Sequence, residues 1–118
     1  MRSLALALTL LTTASAGAAE GPVCLQHGRL DFARKADLPS GVLQAFGTAM
    51  AERGAPFQAT DVLDPRQRLP GTRFVAARQT GCRLALRYEQ GGIAHTWQTA
   101  ILEYRGNRWL LLERRLDR

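Results

Sequence analysis

The chain has 118 residues, enough for one domain and not for two. Hydrophobic residues make up 46% and charged residues 22%, the balance of a chain that folds; disorder, collagenous repeats and a disulfide-dense miniature are excluded. Sixteen Lys and Arg against ten Asp and Glu leave a net charge of +6.

The first residues read as an address. Met1 and Arg2 form a short basic start, Leu4 to Leu11 is an apolar run, and Thr12 to Ala19 are small residues ending in A-x-A sites. This is the order of a secretory signal peptide. The apolar run is shorter than the roughly 20 residues that a membrane span needs. Cleavage after Ala19 is expected, giving residues 1–19 as the signal peptide and residues 20–118 as a single α+β domain. The expected location is the bacterial periplasm or the cell exterior. That expectation comes from the leader and not from the charge.

Cys24 and Cys82 are the only cysteines. An even count in an exported chain points to a disulfide. Closing a loop of this length stabilises a chain by about 4 kcal/mol in the loop-entropy treatment. No CxxC spacing is present, so a bridge is preferred to a metal or redox pair.

Residues 20–37 carry no clear period, although Leu30, Phe32 and Ala33 fit a short strand or a helical turn. Pro39-Ser40 reads as a helix start with Ser40 as the cap. Val42, Leu43, Phe46, Ala49 and Met50 then form one helical stripe, and Gly54 is a C-terminal stop. The spacing predicts a helix near 40–53. Residues 57–63 alternate like a strand, and residues 64–71, with two prolines, read as a loop. The remaining residues read as an antiparallel meander with strands near 72–79, 82–90, 93–104 and 108–115. Its turns are Thr80-Gly81, Gly91-Gly92 and Gly106-Asn107.

Two-residue turns at 80–81 and 91–92 set the expected register. They pair Ala77 with Leu84, Leu86 with Trp97 and Cys82 with Ile101. The core face is then Val75, Ala77, Cys82, Leu84, Leu86, Tyr88, Trp97 and Ile101, with Leu110 and Leu112. The helix stripe covers it. The expected fold is α+β, one main helix packed on a curved antiparallel sheet of four to five strands. That layout is similar to cystatin-like and small NTF2-like folds, a likeness of layout that no motif in the chain supports.

On the opposite face this register places Phe74, Leu102, Tyr104, Trp109 and Leu111, a candidate partner surface unless Leu30 and Phe32 plug it. A one-residue slip of the last hairpin would move Trp109 and Leu111 to the core face. Arg78, Arg83 and Arg87 share the opposite face as a candidate basic patch for an anionic envelope ligand or an acidic protein. Fifteen of the sixteen basic residues are arginine, which also fits a coding bias. Tyr88, His95 and Trp97 form a candidate pocket between helix and sheet.

Catalytic chemistry finds little to stand on. There is no HxxxH or HExxH for a metal, Ser40 is the only serine after the leader, and no phosphate-cradling glycine loop occurs. No catalytic residue, metal, cofactor or nucleic-acid partner is expected. The expected role is a small exported module, not an enzyme, that binds a protein partner as an inhibitor, immunity factor or accessory subunit does. A homodimeric structural protein and a small-ligand-binding cone fold are the alternatives.

Overall fold

The computed structural model describes residues 23–118, so the expected signal peptide lies outside the described residues. The chain opens with β1 (Arg29–Phe32), a 3-10 turn (Lys35–Asp37), α1 (Val42–Phe46) and β2 (Met50–Ala51). Four long strands follow: β3 (Thr72–Thr80), β4 (Arg83–Gln90), β5 (Thr96–Arg105) and β6 (Arg108–Leu116). One six-stranded sheet holds them in the order β1-β3-β4-β5-β6, with β2 parallel to β3 and every other pairing antiparallel.

The C-terminal meander therefore forms, but the main helix does not, and this overturns the expected layout of one main helix on a sheet. α1 has only five residues. Gly47, at φ 93, donates its N–H to Leu43 O and turns the chain out of the helix, in a conformation that side-chain-bearing residues rarely adopt. Met50 and Ala51, read as the end of the helical stripe, pair with Thr72 and Arg73 as β2 instead. Both are buried, so a short helix followed by a strand satisfies the same apolar spacing. Ser40 is not a cap: Gly41 holds that position and no side chain bonds the helix start.

The sheet register also departs from expectation, in three ways. Thr80 pairs with Arg83, so the first hairpin turns at Gly81-Cys82 and Cys82 leaves the core face for the turn. Val75 is a bulge between Phe74 and Ala76. The extra residue puts Phe74 opposite Tyr88 and inside, where Val75 was expected.

The second hairpin differs most. β4 ends at Gln90 and β5 begins at Thr96, so Gly91-Gly92 is part of a longer connection. Backbone from the preceding loop occupies the space beside Gly91. A Cβ there would lie 1.7 Å from Gln58 O, and Thr60 bridges Gly92. This docked segment is all that appears of the expected strand at 57–63. The longer connection pairs Leu86 with Ala100 and Leu84 with Leu102. Because side chains alternate along a strand, this change of parity turns all of β5 over. Trp97 and Ile101 leave the core face, while Ala100 and Leu102 enter it.

Gly106-Asn107 does form the last turn, with φ of 61 and 65 as a type I′ hairpin requires. It pairs Tyr104 with Trp109 and Leu102 with Leu111. Leu110 and Leu112 are thus not core residues; Leu112 is the bulged residue and stays exposed.

The core lies on one side of the sheet. Leu84, Leu86, Tyr88, Ala100 and Leu102 are sealed beneath Val42 and Phe46 of α1, with Phe32, Met50, Phe74 and Trp109 around them. Leu30 and Phe32 lie on this same side, beside Gln79 and Ala77, so they plug nothing on the other. Phe46 meets Tyr88 edge to face at 4.8 Å. Arg114 stacks its guanidinium on the Phe46 ring, 4.4 Å from the centroid, and donates to Phe46 O.

Cys24 and Cys82 are bridged with their Cα atoms 4.4 Å apart. Gln79, buried on the core face, donates to Val23 O and Gly81 O and holds the N-terminal segment against the bridged turn. The bridge is compatible with an oxidising extracellular compartment. Among the described residues no helix is long and apolar enough to cross a membrane.

Candidate functional site

The reversal of β5 redistributes the residues singled out in the sequence. Phe74, Leu102 and Trp109 are buried in the core, and Tyr104 and Leu111 pack partly buried against it. The partner surface drawn from these five residues is the inner face of the sheet and is not available as a surface. The proposed pocket is split in the same way. Tyr88 is sealed inside, where burial pushes its phenol pKa up and its hydroxyl donates to Gln98 Oε1 at 2.8 Å. Trp97 and His95 stand on the other side of the sheet.

Arg78, Arg83 and Arg87 do share the outer face, each answered by a carboxylate. Arg78 donates to Asp31 at 2.7 Å, Arg83 lies 3.8 Å from Glu103, and Arg87 donates to Asp117 at 2.9 Å. Thr99 also donates to Asp117, and this bond, with the Arg87 charge, holds the Asp117 carboxyl below its usual range. The expected basic patch is thus a ladder of cross-strand ion pairs rather than free positive charge.

At the β4–β5 end of the outer face a compact cluster forms that was not expected. Arg73 and Glu89 are cross-strand neighbours joined by two hydrogen bonds, and Arg73 also donates to Ala55 O. The guanidinium beside Glu89 holds that buried carboxyl below its usual range. His95 Nε2 lies 3.1 Å from Glu89 Oε1, and its ring stacks on Trp97 at 4.5 Å. Phe57 closes the group, under Arg73 at 4.3 Å and edge-on to His95 at 5.6 Å.

A histidine beside a carboxylate invites an acid–base reading, but Ser40 is elsewhere. Ser40 lines a cleft with Asn107 and Trp109 at the opposite end of β5. A strand of that length spans about 30 Å. Both cysteines are bridged, and among the described residues no three His, Cys, Asp or Glu gather as metal ligands. The Arg73–Glu89–His95 group fastens the loop of residues 55–60 to the sheet.

Among the described residues, no helix or strand covers the outer face. Ala85 and Ile101 stand directly opposite one another in its middle, with Leu110 and the exposed Leu112 near them on β6 and Trp97, 44% exposed, two rows further along β5. Arg78 and Glu113 end the row of Ala85 and Ile101, the polar row of Arg87, Thr99 and Arg115 separates it from Trp97, and Arg83 and Glu103 share the row of Leu110.

The other concavity lies between the start of α1 and the β5–β6 turn. It is a half-open cleft of about 640 Å³ lined by Val23, Pro39, Ser40, Gly41, Gln44, Ala45, Tyr104, Asn107, Arg108, Trp109 and Leu110. Of these residues only Tyr104 and Trp109 were named in the sequence as candidate functional residues; Pro39 and Ser40 were read as a helix start, Asn107 as a turn and Leu110 as core. The Gly-Asn turn was the available signal. A type I′ reading of Gly106-Asn107 places Tyr104 opposite Trp109 and so locates the cleft wall.

Comparison of the chain with models of protein families, with curated proteins and with solved structures finds no match.

Proposed function

We propose that the chain is an exported, non-catalytic binding module of a bacterial envelope that holds a protein partner against the outer face of its sheet. The observation that carries this reading is the absence of any helix or strand over that face among the described residues, although Ala85, Ile101, Leu110, Leu112 and Trp97 stand on it. Apolar strips bordered by charge are the usual form of a protein–protein contact. The signal-peptide pattern of the first nineteen residues and the bridged cysteines support export.

The charge of this face supports an acidic partner. On the outer face Arg73, Arg78, Arg83, Arg87, Arg105, Arg108 and Arg115 outnumber Asp31, Glu89, Glu103, Glu113 and Asp117. Two copies stacked face to face would bring like net charge together. An acidic partner meets the opposite sign and is steered by it.

The test uses mature protein as bait in envelope extract, beside Ile101→Arg, which places a charge in the middle of the strip. The expected result is an acidic partner recovered by the natural chain and lost by a variant with an unchanged circular dichroism spectrum. Equal recovery by both proteins refutes the reading. Sedimentation showing a dimer that Ile101→Arg dissolves would assign the face to a second copy instead.

A further inference from the structure

We propose that the free edge of β6 takes up an extended acidic segment of another protein as an added antiparallel strand. The edge is separate from the outer face of the sheet, so its failure would leave the outer-face reading intact.

The two sides of the sheet are finished differently. One side stops at β1, four residues long, and at the two-residue β2. The other stops at β6, nine residues without a proline and with no strand beyond it among the described residues. Short edge strands and prolines are how sheets keep other chains from adding to them. β6 has one interruption, the bulge at Leu112, and past it Glu113 to Leu116 run in unbroken register with Ile101 to Gln98. Burial singles out the same stretch. β3 alternates between covered and wet residues, as a sheet with one covered face requires. Leu112 to Leu116 are all exposed, so this end of β6 meets solvent on both faces.

The register shows which backbone groups are on offer. Asp117 donates its N–H to Trp97 O. Antiparallel bonding alternates along a strand, so Arg115 also turns its backbone groups to β5, while Arg114 and Leu116 turn theirs outward. Among the described residues no other backbone group bonds to these outward groups. A strand laid along them pairs them.

The side chains of β6 favour an acidic occupant. The strand carries Arg108, Arg114 and Arg115 against Glu113 alone. Arg108 and Arg114 take part in none of the ion pairs among the described residues. Arg115 has Glu113 at 3.7 Å, with both side chains more than half exposed. Two copies joined edge to edge would bring like net charge together, so the occupant is a segment of a different protein and not a second β6. In an antiparallel arrangement the residue opposite Arg114 shares its side of the sheet, and the residue opposite Arg115 takes the other side. Acidic residues at those two consecutive positions meet one arginine on each side, and an apolar residue before them meets the exposed Leu116. The recognised pattern, in the partner's own direction, is therefore apolar-acidic-acidic.

The experiment uses the mature chain and a blocked peptide, acetyl-Thr-Val-Glu-Glu-Thr-Val-amide. Binding is followed by NMR shifts, and amide hydrogen exchange is read at single residues. The peptide is expected to saturate and to slow exchange of the Arg114 and Leu116 amides at least about tenfold. The same peptide with lysines for glutamates, at matched ionic strength, is expected to bind at least about tenfold more weakly. A third peptide keeps the glutamates but is methylated on the amide nitrogens of the first valine and the second glutamate. It retains the charge, loses the donors of the added strand, and is expected to bind about tenfold more weakly. Leu116→Pro removes an outward N–H without touching the pairing with β5, and it is expected to weaken the glutamate peptide to a similar degree. Equal binding of the lysine peptide overturns the acidic occupant, and undiminished binding of the methylated peptide overturns strand addition. Exchange of the two amides that slows with protein concentration alone gives the edge to a second copy and overturns the proposal, as does a glutamate peptide that fails to saturate at millimolar concentration.

Discussion

Leu102 and Ile101 are neighbours on β5, and the face each one occupies decides the whole reading of the sheet. Leu102 is 0% exposed beneath α1, while Ile101 stands half-buried on the uncovered side. Leu102→Ala removes three carbons from a sealed site. At about 0.8 kcal/mol per methylene the transfer loss is about 2.4 kcal/mol. A residual cavity of some 50 Å³, at about 24 cal/mol per Å³, adds about 1 kcal/mol. The expected cost is therefore about 3.5 kcal/mol, against roughly 1 kcal/mol for Ile101→Ala on a face still partly wet. Urea unfolding of both variants with the disulfide intact, followed by circular dichroism, measures the difference. With a slope of about 1.5 kcal/mol per molar urea, Leu102→Ala should lower the midpoint by about 2 M and Ile101→Ala by less than half of that. If Ile101→Ala costs as much as Leu102→Ala, β5 faces the other way, and the outer strip, the buried Trp109 and the cleft wall all fail together.

Other perturbations test the remaining contacts. Reduction of the Cys24–Cys82 bridge, which closes a separation of 58 residues, should remove about 4 kcal/mol, read as the change in urea stability with and without reductant; a loss under about 1 kcal/mol would contradict the loop-entropy argument. Gly91→Ala puts a methyl group 1.7 Å from Gln58 O, so residues 58–60 have to move away at a cost of about 1–3 kcal/mol. Trypsin should then cut faster after Arg66 and Arg68, whereas Gly71→Ala, which meets only the Gln90 amide at 3.9 Å, should leave the rate unchanged. Glu89 has a folded pKa below its ordinary 4.5, chiefly through its bond to Arg73. Its stabilisation is therefore present above pH 4.5 and lost as the pH falls through the lower folded value. Glu89→Gln should flatten the acid limb of the stability–pH curve, and an unaltered limb would show that the pair contributes nothing there.

The presence of the strands was legible where their direction of facing was not. Alternation around Leu84, Leu86 and Tyr88, together with the glycine-bearing turns, marked β3 to β6 because a half-buried sheet imposes period two on its residues. Facing depends on counting, and single-residue events disturb the count. The bulge at Val75, the bulge at Leu112 and the longer connection after Gln90 each change which side a residue takes. The connection was hidden because its cause, the carbonyl of Gln58 against Gly91, is a contact between distant parts of the chain. The helix was overestimated for a related reason. The stripe from Val42 to Met50 records burial, and a helix followed by a strand buries the same residues. The site residues inherited these errors: Trp109 was named for a surface and is a wall of the core and cleft, while His95 and Tyr88 are divided by the sheet. The cysteine pairing was legible because two thiols admit only one intramolecular partnership.

That partnership has a consequence for how the molecule is made. Cys24 precedes Cys82 by 58 residues, and Cys82 sits in the β3–β4 turn. In a polypeptide delivered from its amino end, the earlier sulfur emerges long before its mate and waits as a reactive thiol until the hairpin carrying the other arrives. With no third cysteine, shuffling within one molecule cannot occur, and the only wrong protein–protein bridge joins two molecules. Covalent dimers in a preparation would therefore record chains that met during this wait, and they would disappear when synthesis is slowed or an isomerase is supplied.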